Sequence, residues 1–310
     1  MRKDKPLNIV DTIRYYQTPE ARPVEVFGMN KYNEACPNES FAVISHGDWH
    51  KNGAPVKVDH YAIILCLQGT CQRMVGPFDF EVVPGTMHFI SPRYINSYKN
   101  ASDDMVLHMV LFKKEFITNS FIIETILDQL VEVSPEIAPF FELSEDNFNS
   151  IQELFLKIDR EYKLGNAFYL QVIKLLLVEL LYEMNRVCER CLLHSNRHLS
   201  RQYQMVYHYK KMVDECFMDL RTVQEYADRL NVTAKYLGEV VKNETGLSAL
   251  HIIHNRIYLE AQYLLSSSCY SIKEITEKLG FDTSSHFSRF FKHCSGFNPS
   301  DYKSNKWLVN

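Results

Sequence analysis

Glycine is scarce in this chain, 11 of 310 residues, and tryptophan scarcer, with two. No glycine-rich loop of the kind that cradles a nucleotide phosphate is present. No serine or cysteine sits in a recognisable nucleophile motif, so an enzyme is not expected. The most apolar stretch, "VIKLLLVELL" from Val172 to Leu181, is too short and too charged to span a bilayer. The opening "MRKDKPLNIVDTIRYY" has basic residues but no following apolar run, so a signal peptide is not expected and the protein is assigned to the cytoplasm. Eight cysteines in a chain of this length do not make a disulfide framework. Most, such as Cys66 and Cys269, sit singly in apolar runs, where a reduced thiol behaves as a small hydrophobe.

What is present is a soluble composition, 46% hydrophobic and 23% charged, long enough for two domains or two and a small third. One cysteine group stands apart. In "CERCLLHSNRH" the residues Cys188, Cys191, His194 and His198 fall roughly on one side of a continuing helix. Zinc is conceivable there, although the spacing matches no common zinc module and a polar helix end explains it equally well. The net charge of −4 is uneven: residues 201–310 hold 14 Lys+Arg against 12 Asp+Glu, the first 200 residues 20 against 26. A mildly positive C-terminal third is compatible with DNA binding and weak by itself.

Residues 40–112 read as short strands. "YAIILCLQG", "FDFEVV", "MHFIS" and "MVLHMVLF" are separated by turn formers at Gly69, Gly76-Pro77, Pro84-Gly85 and Ser91-Pro92, the pattern of a sandwich or barrel. From about Phe116 the period lengthens to that of helices, with two long ones at 145–163 and 168–191. The second is apolar on most of its circumference and needs burial on more than one side, in the core or in a dimer interface. "HSNRHLSRQ" suits a linker. These readings divide the chain at 1–142, 143–198 and 199–310.

The last hundred residues contain an internal repeat. Thr222–Gly246 aligns with Ser271–Gly296, with one extra residue in the second copy after the turn. Each copy reads as helix, tight turn, helix. In the second, Ile272, Ile275 and Leu279 form one stripe, Gly280 can take the left-handed conformation that ends the helix, and Asp282, Thr283 or Ser284 can cap the next. Phe287, Phe290, Phe291 and Cys294 make its apolar face; Ser285, His286, Arg289 and Lys292 are left outside. In the first copy Leu237, Val240 and Val241 face inward, and Lys235, Gly238, Glu239 and Lys242 outward. Between the copies, "HIIHNRIYLEAQYLL" reads as an unbroken helix of about 22 Å at ~1.5 Å per residue. Such a rod would hold two reading helices roughly one DNA turn apart, about 34 Å.

These residues carry a resemblance. "LNVTAKYLGEVVKNETG", "NRIYLEAQYLL" with Arg256 and Ala261, and "LGFDTSSHFSRFFKHCSGFNPSDYK" resemble the DNA-binding domain of the AraC/XylS family of bacterial transcription regulators, over about a third of the chain. The resemblance implies two helix-turn-helix units with their second helices in successive major grooves. It also implies DNA contacts from Ser284, Ser285, His286 and Arg289, with Lys292 nearer the backbone. Arg289 suits a guanine or a phosphate; a surface salt bridge with Asp282 is its plainer role. The first reader departs from the commoner pattern at Gly238 and Glu239, so its contact is led by Lys235, and Glu239 could accept from cytosine N4 while repelling phosphate. Lys303 stands where arginine is common.

Asp59–Tyr98 resembles a cupin-like sensor domain more loosely. The expected fold is therefore α+β multidomain: a cupin-like β-barrel or jelly roll, a helical connector, and an all-α domain with two helix-turn-helix units. Cupin enzymes hold a metal with histidines, but the late ligand position is Asn96 here, and His46, His50, His60, His88 and His108 lack ligand spacing. No cofactor is expected. The barrel would enclose a small organic effector, a sugar or related metabolite, with Trp49 and His60 as candidate contacts. The whole reads as an effector-responsive, sequence-specific regulator, an activator acting as a homodimer with RNA polymerase on nucleoid DNA. A zinc- or redox-responsive regulator using Cys188, Cys191, His194 and His198 is the alternative.

Overall fold

A computed structural model describes residues 6–16, 27–28, 39–45, 51–92, 94–118, 139–194, 201–267 and 269–304, which form two compact units, mainly 6–195 and 196–310. The first runs through α1 (Ile9–Tyr16), β1 (Phe41–Ser45), β2 (Gly53–Val56), β3 (Tyr61–Gln68), β4 (Cys71–Val75), β5 (Phe78–Val82), β6 (Thr86–Ile90), β7 (Asn96–Lys99), β8 (Val106–Phe112), α2 (Lys114–Thr118), β9 (Phe140–Glu142), α3 (Glu145–Leu164) and α4 (Tyr169–His194). Its strands make a five-stranded sheet in the order β1-β8-β3-β6-β9 and a four-stranded sheet in the order β2-β7-β4-β5.

The continuous apolar runs exist because the larger sheet is buried on both faces. In β3, Ile63 and Leu65 join Phe41, Val43, Met87, Phe89, Val110 and Phe112 in a core shared with α3 and α4. Ala62, Ile64 and Cys66 point the other way, into a second core with Cys71, Val75, Phe80, Val82 and Tyr98 of the smaller sheet. The unit is thus layered sheet, sheet, helices. A closed cupin-like barrel is not formed: among the described residues no strand of one sheet pairs with the other. Large side chains such as Phe80, Tyr98 and Met109 occupy the space between the sheets and hold them apart as facing layers, roughly 10 Å as sandwiches require.

The two long helices expected from periodicity are α3 and α4. Ser144 caps α3 by accepting from the Asn147 N–H. One side of α4, with Ile173, Leu177, Leu180, Leu181, Met184 and Val187, is core. Its other side exposes Val172, Leu175 and Tyr182, with Phe168 just before the helix. Buried Asp159 of α3 accepts from the Gly28 N–H at 2.9 Å and from Lys163 at 2.8 Å. Gly28 has φ +96, and a Cβ there would lie 2.5 Å from the Ser45 nitrogen, so only glycine lets this segment cross β1.

The histidines separate by environment. His60 is buried, its Nδ1 3.2 Å from Asp59 Oδ1, and Asp59 also holds Lys113 at 3.0 Å. His88 lies between the sheets and His108 stacks on Phe27 at 3.7 Å. His46, His50 and Trp49 fall outside the described residues. Among those described, no group of three or more His, Cys, Asp or Glu side chains is placed to hold a metal ion, and no helix is long and apolar enough to cross a membrane.

The second unit contains α5 (Arg201–Cys216), α6 (Val223–Arg229), α7 (Ala234–Thr245), α8 (Ala249–Ser267), α9 (Ile272–Lys278), α10 (Ser284–Ser295) and α11 (Pro299–Lys303). Cys66 is buried as expected, whereas Cys269 and Cys294 are exposed. Cys294 stands at the limit of the α10 apolar stripe, which Phe287 and Phe291 fill.

Burial pushes the His108 imidazole down to about 4, with Lys163 adding to the effect. A histidine whose folded value lies below its unfolded one stabilises the fold above the unfolded value, near 6.5, and loses that contribution as pH falls toward the folded value. Urea unfolding at steps from pH 7 to pH 4 is expected to show a stability loss that His108→Leu reduces by up to about 3 kcal/mol.

Candidate nucleic-acid interface

The repeat folds as two copies of one device. Thr222 accepts from the Glu225 N–H while Glu225 reaches back to the Thr222 N–H, and Ser271 and Glu274 do the same at the start of α9. These capping boxes satisfy donors that a helix start leaves open. The turns also correspond. Val232 N–H donates to the Ala227 carbonyl at 3.0 Å, and Phe281 N–H to the Thr276 carbonyl at 3.0 Å. Asn231 has φ 55 and Gly280 φ 66, the left-handed step that swings the chain into the second helix. Thr233 caps α7 and Thr283 caps α10; Gly246 and Gly296 end them with φ 73 and 79. Of the three candidate caps for α10, Thr283 is the one used.

Inward, α7 is held by buried Leu237, Val240 and Val241, and α10 by Phe287 and Phe291. Outward, Lys235, Glu239 and Lys242 are exposed on α7, and Ser285, His286, Arg289 and Lys292 on α10. Gly238 lies between them, with no atom within 4 Å of where a Cβ would stand. Lys235 Nζ and Glu239 Oε1 are 4.0 Å apart, both largely in solvent; such a pair is weak. Ser284 is half-buried, its Oγ 3.4 Å from Thr276 Oγ1. The His286 ring meets Phe281 edge-on at 5.4 Å. Arg289 Nε lies 3.4 Å from the Ser285 carbonyl, and among the described residues it forms no ion pair with Asp282. The two faces differ in charge: α10 carries Arg289, Lys292 and His293 with no acid, whereas α7 sets Glu239 and Glu244 against Lys235 and Lys242.

The expected rod is α8, 19 residues long, about 28 Å at ~1.5 Å per residue. Arg256 fastens it to α5. Its Nε donates to Asp214 at 2.7 Å, its Nη1 to Glu260 at 2.9 Å, and its guanidinium lies 3.9 Å from the centre of the Phe217 ring. Tyr209 hydroxyl donates to the Ala249 carbonyl at 2.7 Å at the start of α8. At the far end Gln262 donates to the hydroxyls of Tyr258 and Tyr302, and Lys303 to the Tyr270 carbonyl.

Arg221 is a further clamp, one that sequence reasoning missed. It precedes the first copy, yet its Nη2 donates to the carbonyl of Leu279 in the second turn, and its guanidinium lies over Phe281 at 5.5 Å. A Cβ at Gly280 would come within 2.8 Å of Arg221 Nη2. Nothing local marks this arginine; the contact spans 58 positions. The side chains of Cys188, Cys191 and His194, and the whole of His198, lie outside the described residues, so the proposed zinc group does too.

Two capped helix pairs, each presenting a polar or basic face, define a double helix-turn-helix DNA-binding domain. A family model described as a helix-turn-helix domain matches residues 226–305. The Msm operon regulatory protein of Streptococcus mutans is 24% identical over 89% of this chain and 97% of its own length. The HTH-type transcriptional activator RhaR of Yersinia pseudotuberculosis is 20% identical over 94% of this chain and 92% of its own. The C-terminal domain of AraT, a response regulator of Geobacillus stearothermophilus, is 33% identical over 34% of this chain and 88% of its own, with TM-score 0.32. This chain is a DNA-binding transcription regulator and not an enzyme. Residues 226–305 are similar to the helix-turn-helix domain of AraC-type regulators.

Because Asp214 and Glu260 would be left nearly buried without their cation, Arg256→Ala is expected to lower stability by about 3–5 kcal/mol. Chemical denaturation followed by circular dichroism checks this.

Proposed function

We propose that the chain reads a bipartite DNA site with α7 and α10 in successive major grooves. One observation carries the reading: both reader helices expose polar or basic faces, joined by a rod that Arg256 fastens to α5 while Arg221 ties the start of the first copy to the turn of the second. The contacts assigned to the first half-site are Lys235, Gly238, Glu239 and Lys242, and to the second Ser284, Ser285, His286, Arg289 and Lys292. The acid-free face of α10 makes it the stronger electrostatic partner for phosphates. Arg289, exposed and without a carboxylate partner among the described residues, is free to offer its fork to guanine O6 and N7.

The N-terminal sandwich is assigned the sensing of a small-molecule effector, which acts by differential affinity for two states of the protein. The stripe of Phe168, Val172, Leu175 and Tyr182, with Leu175 68% exposed, is assigned to a homodimer interface, since a second copy would remove this apolar surface from water. The activator name of RhaR supports an activating role that engages RNA polymerase, and a cytoplasmic location follows from that role.

Selection from random duplexes is expected to return two half-sites about one turn apart, roughly 34 Å. Arg289→Ala should then lose about 1–3 kcal/mol of discrimination in one half only. Uniform weakening at every sequence would instead make Arg289 a phosphate contact.

A further inference from the structure

Between the two sheets lies a charge that the fold itself does not answer. Arg73 of β4 pairs in register with Phe80 of β5 and Tyr98 of β7. Directly paired residues share a face of the sheet, and Phe80 and Tyr98 belong to the core between the sheets, so Arg73 points into that core. It is fully buried. Its Nη2 lies 3.4 Å from Asn96 Oδ1 and its guanidinium 5.9 Å from the centre of the Tyr98 ring. Its Nε and Nη1 have no partner, and it forms no ion pair among the described residues.

Opposite stands His88 of β6, in register with Ile64 of β3 and Phe140 of β9, which face the same core. His88 is also fully buried, its ring 5.8 Å from that of Phe80, and both of its nitrogens lack a partner. Burial, with Arg73 adding to it, pushes the His88 imidazole well below its ordinary value, so the ring is neutral at physiological pH. A neutral imidazole offers one N–H donor and one acceptor. An arginine cannot shed its proton, and an unpaired charge or unbonded polar group in an apolar core is strongly unfavourable. Two such groups, turned inward from opposite sheets, have the hydrogen-bonding capacity that a polar ligand would satisfy. The guanidinium excludes a metal cation, and one positive charge beside a neutral imidazole balances one negative charge, which fits a carboxylate better than a phosphate dianion.

We propose that the interior of the sandwich binds a small hydroxylated carboxylic acid, its carboxylate on Arg73 Nε and Nη1 and a hydroxyl on His88. This rests on the effector role proposed above and replaces a neutral sugar by an acidic one.

The test is thermal unfolding of the full-length protein with matched pairs, D-galacturonate against D-galactose and D-glucuronate against D-glucose, and with inorganic phosphate. At hundredfold excess over Kd an acid is expected to raise the wild-type Tm by roughly 5 °C, its neutral partner not at all. Arg73→Met should abolish the response and, without ligand, raise Tm by a few degrees, as removal of an unpaired buried charge does. His88→Leu, which keeps the packing apolar, should weaken acid binding about tenfold, the worth of one or two buried hydrogen bonds. The proposal is overturned if no acid shifts the wild type, if neutral sugars or phosphate shift it instead, or if Arg73→Met lowers the ligand-free Tm. Operator affinity with and without the active acid separates the two readings: an acid that stabilises without changing that affinity leaves the site standing and removes its effector role.

Discussion

The DNA-binding unit depends on Arg256. A rod can hold two readers apart only if it is fastened at both ends, and α8 by itself is a helix with no reason to keep one angle to α5. The guanidinium supplies the reason. It is planar and permanently charged, and it meets carboxylates from both helices while its face lies on Phe217. Lysine at this position could satisfy one acid but could not lie flat on the ring. The register of α5 against α8 sets where Tyr209 and Tyr226 pack, and through them where the first reader stands.

Set beside Arg256, Arg73 shows how differently one residue type can be treated in a single chain. Arg256 has two carboxylates and a ring; Arg73 has one amide at the limit of hydrogen-bond length and two idle nitrogens. The first arrangement builds rigidity. The second withholds a partner, so the sandwich core is less stable than its apolar content would make it, and whatever completes the site also completes the core. On the proposal that an acid fills this site, its binding would be read directly as added folding stability.

The second unit was more legible in the sequence than the first because its information is local. Thr222 with Glu225, Ser271 with Glu274, and Gly246 and Gly296 are signals within a few residues of the helix ends they specify. The aromatics at Phe287 and Phe291 declare their side by spacing alone. In the first unit the runs around β3 and β8 announce strands but not faces, since both faces are buried and period-two alternation is lost. Whether those strands close into a barrel depends on side-chain volume between sheets, which no short window contains. His88 and Arg73 read as ordinary polar interruptions until strand register turns both inward. Arg221 and Asp214 act at separations of 58 and 42 positions, where periodicity has nothing to say. Cys269 and Cys294 are exposed despite apolar neighbours in sequence, because one lies between two helices and the other at the limit of an apolar stripe.

The two turns of the repeat carry a record of divergence. Asn231 and Gly280 occupy the same left-handed step, and in the first copy a side chain is tolerated there. In the second copy the arriving Arg221 occupies the space a Cβ would need. The pair is therefore directional: a chimera carrying the first turn in the second position would require the Arg221 guanidinium to move aside for the asparagine. The symmetry of the two copies survives in the caps and is broken at the second turn, which is one residue longer and receives Arg221.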